Sequence, residues 1–92
     1  MAVFLVLRDL PGVTRDQYAA AQQAANDAAQ QASVGGRVVR HLGGFYIPRG
    51  GWAICIFGAD SLADVTAVNE QARVPFTEVL EAIELHPWSG HD

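Results

Sequence analysis

The chain states one pattern twice. Val3–Leu10 is an apolar run, followed by Pro11-Gly12-Val13 and by Thr14-Arg15-Asp16-Gln17, which opens an alanine-rich segment of helical period. Trp52–Phe57 is a second apolar run, followed by Gly58-Ala59-Asp60 and by Ser61-Leu62-Ala63-Asp64, which opens a second helical segment. A further strand-like run follows each helix. Strand–helix–strand given twice is the signature of a split βαβ unit. The expected fold is α+β and ferredoxin-like: a four-stranded antiparallel sheet with two helices on one face. In that order the first strand is central, beside the third, with the second and fourth outside.

Local signals fix the element ends. Thr14-x-x-Gln17 is a capping box, in which the Thr hydroxyl accepts the N3 amide and the Gln side chain reaches back. Tyr18, Ala21, Ala25, Ala28 and Ala32 share one helical face, small enough to lie close on a sheet. Gly35-Gly36 ends this helix. Arg37–Ile47 reads as a strand with a bulge at Gly43-Gly44, and Pro48-Arg49-Gly50-Gly51 as a hairpin turn. The second helix runs to about Arg73, with Leu62, Val65, Val68/Asn69 and Ala72 inward, while Asn69, Glu70 and Arg73 read as an exposed polar face. A short helical turn is expected at Pro75–Glu78, then a fourth strand from about Val79 to His86. The 92 residues form a single domain, ordered over about 2–86, with a short C-terminal tail.

Composition narrows the function classes. Half the residues are hydrophobic, which excludes a disordered chain. The net charge is −4 and the six basic residues are scattered, which argues against a nucleic-acid partner. No apolar run approaches bilayer-spanning length, and the N-terminus lacks the features of a secretion signal. The expected location is cytoplasmic. Cys55 is the only cysteine and reads as a small buried hydrophobe.

The strands pose a packing problem. Val3, Leu5 and Leu7 fill one face of the first strand, and Phe4, Val6 and Leu10 the other. Trp52, Ile54 and Ile56 oppose Ala53, Cys55 and Phe57 in the same way. Helices cover one face only, and a bare apolar sheet exceeds what soluble monomers expose. The expectation is a homodimer through the sheet face, two sheets curving into a dimeric α+β barrel with room for a small molecule.

Four side chains are candidate ligand contacts. Arg8 shares a face with Phe4 and Val6 and could present a fixed cation to a carboxylate or phenolate. His41 shares strand parity with Val39 and, if no bulge intervenes, with Phe45, and has the chemistry of a general base. Glu81 lies between Val79 and Ile83, where an apolar setting would raise its pKa. Trp52, at the hairpin, could rim a pocket. Opposed strand directions suggest that Arg8 and Glu81 form a charged corner. No metal site is expected: His41, His86 and His91 show no ligand spacing. No catalytic motif stands out. The alternative to a ligand-binding protein is a cofactor-free cyclase, isomerase or monooxygenase acting on an aromatic or polyketide substrate.

Phe4-Leu-Val-Leu-Arg-Asp-Leu-Pro-Gly-Val-Thr14, with Val68-Asn-Glu-Gln-Ala-Arg-Val-Pro-Phe-Thr-Glu-Val-Leu-Glu-Ala-Ile-Glu-Leu85, resembles the domain-of-unknown-function family numbered 4242. The resemblance implies a dimeric ferredoxin-like barrel. One branch of that family binds nickel through histidines on its first strand, so a transition metal such as nickel is the cofactor the resemblance implies. Here Leu7-Arg8-Asp9 stand in that place, and the metal site is not carried over.

Overall fold

The computed structural model describes residues 1–85. Its elements are β1 (Ala2–Asp9), α1 (Arg15–Val34), β2 (Val39–Ile47), β3 (Trp52–Ala59), α2 (Leu62–Ala72) and β4 (Glu78–Ala82). The sheet is antiparallel throughout, in the order β2-β3-β1-β4. This is the expected α+β ferredoxin-like arrangement of four strands and two helices.

Thr14 caps α1 through the capping box, its hydroxyl accepting from the Gln17 amide at 3.1 Å while Gln17 accepts from the Thr14 amide at 3.0 Å. Tyr18, Ala25, Ala28 and Ala29 face inward. Because that face is mostly methyl groups, the helix backbone lies close on the sheet. Ser33 then ties the helix end to β2, its hydroxyl accepting from the Val39 amide and donating to the Val39 carbonyl. Ser61 caps α2 through the Asp64 amide. The helix ends at Arg73, whose φ of 59° is left-handed, a role usually given to glycine.

The core lies between sheet and helices. Phe4, Val6, Val39, Cys55, Phe57, Val65 and Val68 form it with the small residues of α1. Leu62, expected inward, is 46% exposed at the first turn of α2. Two glycines are required by close approach. A Cβ at Gly44 would sit 2.5 Å from the Ile54 carbonyl oxygen and 3.0 Å from the Tyr18 hydroxyl. Gly51, with φ of 71°, lets its carbonyl accept from the Leu10 amide at 2.7 Å, closing the end of β1 onto the hairpin. The β2 bulge falls between His41 and Gly43, one step before the expected Gly43-Gly44 pair.

The fourth strand differs from expectation. Residues 74–77 form no helical turn; instead Thr77 donates its amide to the Leu7 carbonyl at 2.7 Å and starts pairing at once. β4 closes at Ala82, not near His86, because its pairing with β1 runs out opposite Val3. The expected tail, with His86, Trp88 and His91, lies outside the described residues. No helix among those described is long and apolar enough to cross a membrane.

Candidate functional site

The strand register sorts the candidate side chains onto two faces. Phe4 opposes Phe57, Val6 opposes Cys55 and Arg8 opposes Ala53, so Arg8 points to the helix side with the core. Leu5 opposes Ile56 and Leu7 opposes Ile54 on the other side, which no helix covers. Phe45 and Ile47 of β2 pair with Ile54 and Trp52 and extend this open face, as Leu80 does opposite Leu5. Trp52 is 44% and Phe45 63% exposed. Val3, Leu5, Ile56, Ala82, Ile83 and Glu84 line a 260 Å³ depression there.

Arg8 therefore does not line the open face. It is 1% exposed, beneath α2. Its Nη2 donates to Asn69 Oδ1, and its Nη1 to the carbonyls of Val74 and Pro75 at 3.3 and 3.2 Å. Asn69 does not belong to the expected exposed polar face: it is itself fully buried and donates Nδ2 to the Val65 carbonyl at 2.8 Å. No carboxylate pairs with Arg8 among the described residues. Its compensation is the negative end of α2 and the two carbonyls that the left-handed turn at Arg73 swings inward. The guanidinium thus pins the exit of α2 to the centre of the sheet.

The other candidates do not gather around it. Glu81 opposes Phe4, so it shares the helix side with Arg8 but lies four residues away along β1, about 13 Å. It is exposed on the edge strand, beyond the cover of α2. The expected Arg8–Glu81 corner is not formed: the two strands meet with Glu78, not Glu81, at the level of Leu7. Trp52 stands on the opposite face. His41 is half-buried on the helix side, with its ring 4.9 Å from that of Phe57. Its Nε2 is buried without a hydrogen-bond partner. Burial holds its pKa below the usual 6.5, and the Arg8 charge adds to this.

Tyr18 is a polar site that sequence reasoning placed only as a core residue. Its ring stacks on Tyr46, with centroids 5.1 Å apart, and Tyr46 is fixed by a 2.8 Å hydrogen bond from its hydroxyl to the Val13 carbonyl. The Tyr18 hydroxyl is buried against Gly44 and lacks a hydrogen-bond partner. Burial, with the neighbouring Cys55, pushes its pKa up to about 12. The only sequence signal was the glycine at position 44, which leaves room above Cys55.

Among the described residues no three His, Cys, Asp or Glu side chains converge as metal ligands do. What the chain holds is a two-layer α+β domain of the split βαβ class, with a buried guanidinium under one helix and a bare apolar sheet face. A family model described as nickel responsive protein SCO4226-like matches residues 4–82, and the chain belongs to that family. The crystal structure of SCO4226 from Streptomyces coelicolor A3(2) matches with a TM-score of 0.78 at 23% identity, covering 92% of this chain and 100% of that one. At that identity the likeness carries the fold. No curated protein matches the chain.

Two predictions follow from the buried polar groups. Arg8→Ala leaves Asn69 and two carbonyls without their donor and should cost about 3 kcal/mol, read as a lowered urea midpoint at unchanged slope. In a Tyr46→Phe variant, Tyr18 is the one tyrosine left, and its absorbance at alkaline pH should titrate at about 12. The folded value lies above the ordinary 10.0, so the unfolded chain loses this proton first. The stability this group contributes is whole below pH 10 and is lost as pH rises through about 12.

Proposed function

We propose that the protein works as a homodimer in which two open sheet faces meet and enclose a chamber for a small apolar ligand. The observation that carries this reading is the apolar centre of the open face, from Phe45 and Ile47 through Trp52, Ile54 and Ile56 to Leu5, Leu7 and Leu80, with Asp9, Glu78 and Arg40 toward its margins. Exposure of a patch this size is costly, and apposition of two copies removes it from water. A core as small as this one gains most from such burial. The 260 Å³ depression at Val3, Leu5 and Ile56 then becomes part of an enclosed space. Trp52 is the candidate contact that faces it. Arg8, His41 and Glu81 lie on the other side of the sheet, which disfavours the enzyme reading that placed all three around one substrate.

The family description names a response to nickel. The described donors of this chain do not fit a nickel site: the first strand offers Leu7, Arg8 and Asp9, and His41 stands alone under α1. We therefore favour an organic ligand over a resident metal ion. The expected location is the cytoplasm, consistent with a free, buried Cys55.

Light scattering at micromolar concentration should give about twice the 9.9 kDa chain mass. A well-behaved monomer would overturn the dimer. Phe45→Glu should shift the protein toward monomer while its far-ultraviolet spectrum stays native, because Phe45 is exposed in the single chain. The neutral probe 1-naphthalenemethanol should move the amide resonances of Leu5, Ile54 and Ile56; a dimer in which they stay fixed would refute the chamber. Calorimetric titration with Ni²⁺ should show weak binding at most, and sub-micromolar stoichiometric binding would refute the preference for an organic ligand.

A further inference from the structure

The helix side carries a recess of its own, away from the open sheet face. It lies between α1 and the edge strand β2, with a volume of about 650 Å³, and is lined by Arg15, Tyr18, Ala19, Gln22, Tyr46 and Pro48. A 270 Å³ hollow shares Ala19 and Gln22 with it and reaches His41. The two form one groove along α1. Among the described residues, His41 Nε2 is buried without a hydrogen-bond partner at one end of the groove, while the Tyr18 hydroxyl at the other faces the sheet, against Gly44 and Cys55. Tyr18 is 7% exposed.

The groove is also rigid and charged in one sense. The Tyr18–Tyr46 stack is held by the bond to the Val13 carbonyl, and the Thr14 capping box fixes the backbone at Arg15. Arg15 is exposed and has no ion pair among the described residues. No carboxylate lines either part of the groove. Two other cations lie in recesses or the core but are already compensated. Arg8 is saturated by Asn69 and two carbonyls, and Arg37, in the recess between the helices, is neutralised by Asp64 at 3.2 Å.

We propose that this groove binds a planar aromatic carboxylate, its ring against Tyr46 and Pro48 and its carboxylate on Arg15. The guanidinium offers paired donors that match a carboxylate, and the tyrosine wall and proline offer flat apolar contact. Gln22, midway along α1, can hydrogen-bond a ring substituent directed toward His41. The site is separate from the chamber between sheets, so each can fail without the other.

The test is a titration of the isotope-labelled full chain with 1-naphthoate, followed by backbone amide resonances. Saturable shifts should centre on Arg15, Ala19, Gln22 and Tyr46. Arg15→Gln should weaken them about tenfold with the melting temperature unchanged, since the side chain is exposed. The neutral analogue 1-naphthalenemethanol should move the same amides about tenfold more weakly. Shifts confined to Leu5, Ile54 and Ile56, no saturation at millimolar probe, or equal affinity of the Arg15→Gln variant would each overturn the proposal.

Discussion

The sheet is apolar on both faces, and the chain supplies helices for one. Everything else in the molecule answers to that imbalance. On the covered side, the alanine face of α1 and the valines of α2 meet Phe4, Val6, Cys55 and Phe57 closely enough to exclude water. On the other side, Leu5, Leu7, Ile54 and Ile56 are half-buried only by one another, and Phe45 and Trp52 stand out at the rim. A monomer holding this surface in water forgoes about 25 cal/mol for each Å² left exposed. The energetic pressure is toward a second layer, and among the described residues no element is left to provide it.

Arg8 shows how the covered side tolerates a charge. A buried cation without a carboxylate is costly, yet this one occupies the place where α2 ends. The left-handed Arg73 ends the helix and brings the Val74 and Pro75 carbonyls round, so backbone dipoles and Asn69 stand in for a counter-ion. The guanidinium fork matters here, because its acceptors lie both on α2 and in the loop after it, and a lysine ammonium could not span them with the same planarity. The contact joins the centre of the sheet to the entry of β4 and sets where the last strand begins.

The sequence announced the architecture through a repeated pattern and two capping signals, and these agree with the structure element by element. It could not assign the faces. Alternation on β1 separates Phe4, Val6 and Arg8 from Val3, Leu5 and Leu7, but both sets are apolar, so nothing in the strand says which set the helices cover. The side of Arg8 is legible only with α2: Asn69 sits at an inward position beside Val68, and a buried amide needs a partner. Glu81 was misplaced for a different reason. Its parity matches Val79, but an edge strand projects past the helix layer, so a core-facing residue near its end stays in solvent. The extent of β4 was misjudged because Val79–Leu85 carries both helical and strand periods, and only pairing with β1 decides between them.

Arg8 also shapes the chemistry of the interior at a distance. Its charge, with burial, disfavours a proton on His41 and favours ionisation of Tyr18, although for Tyr18 burial outweighs it. The same field acts on any ion. A divalent cation brought to the helix side near His41 would meet a fixed guanidinium and a single imidazole, with no carboxylate converging on it among the described residues. An anion brought to the groove meets the exposed guanidinium of Arg15, while Arg8 lies apart from it beneath α2, saturated by Asn69 and two carbonyls. The open face of the same sheet is apolar at its centre, with Asp9, Glu78 and Arg40 toward its margins. One four-stranded sheet separates an interior that holds a buried guanidinium from an exposed face that is apolar at its centre.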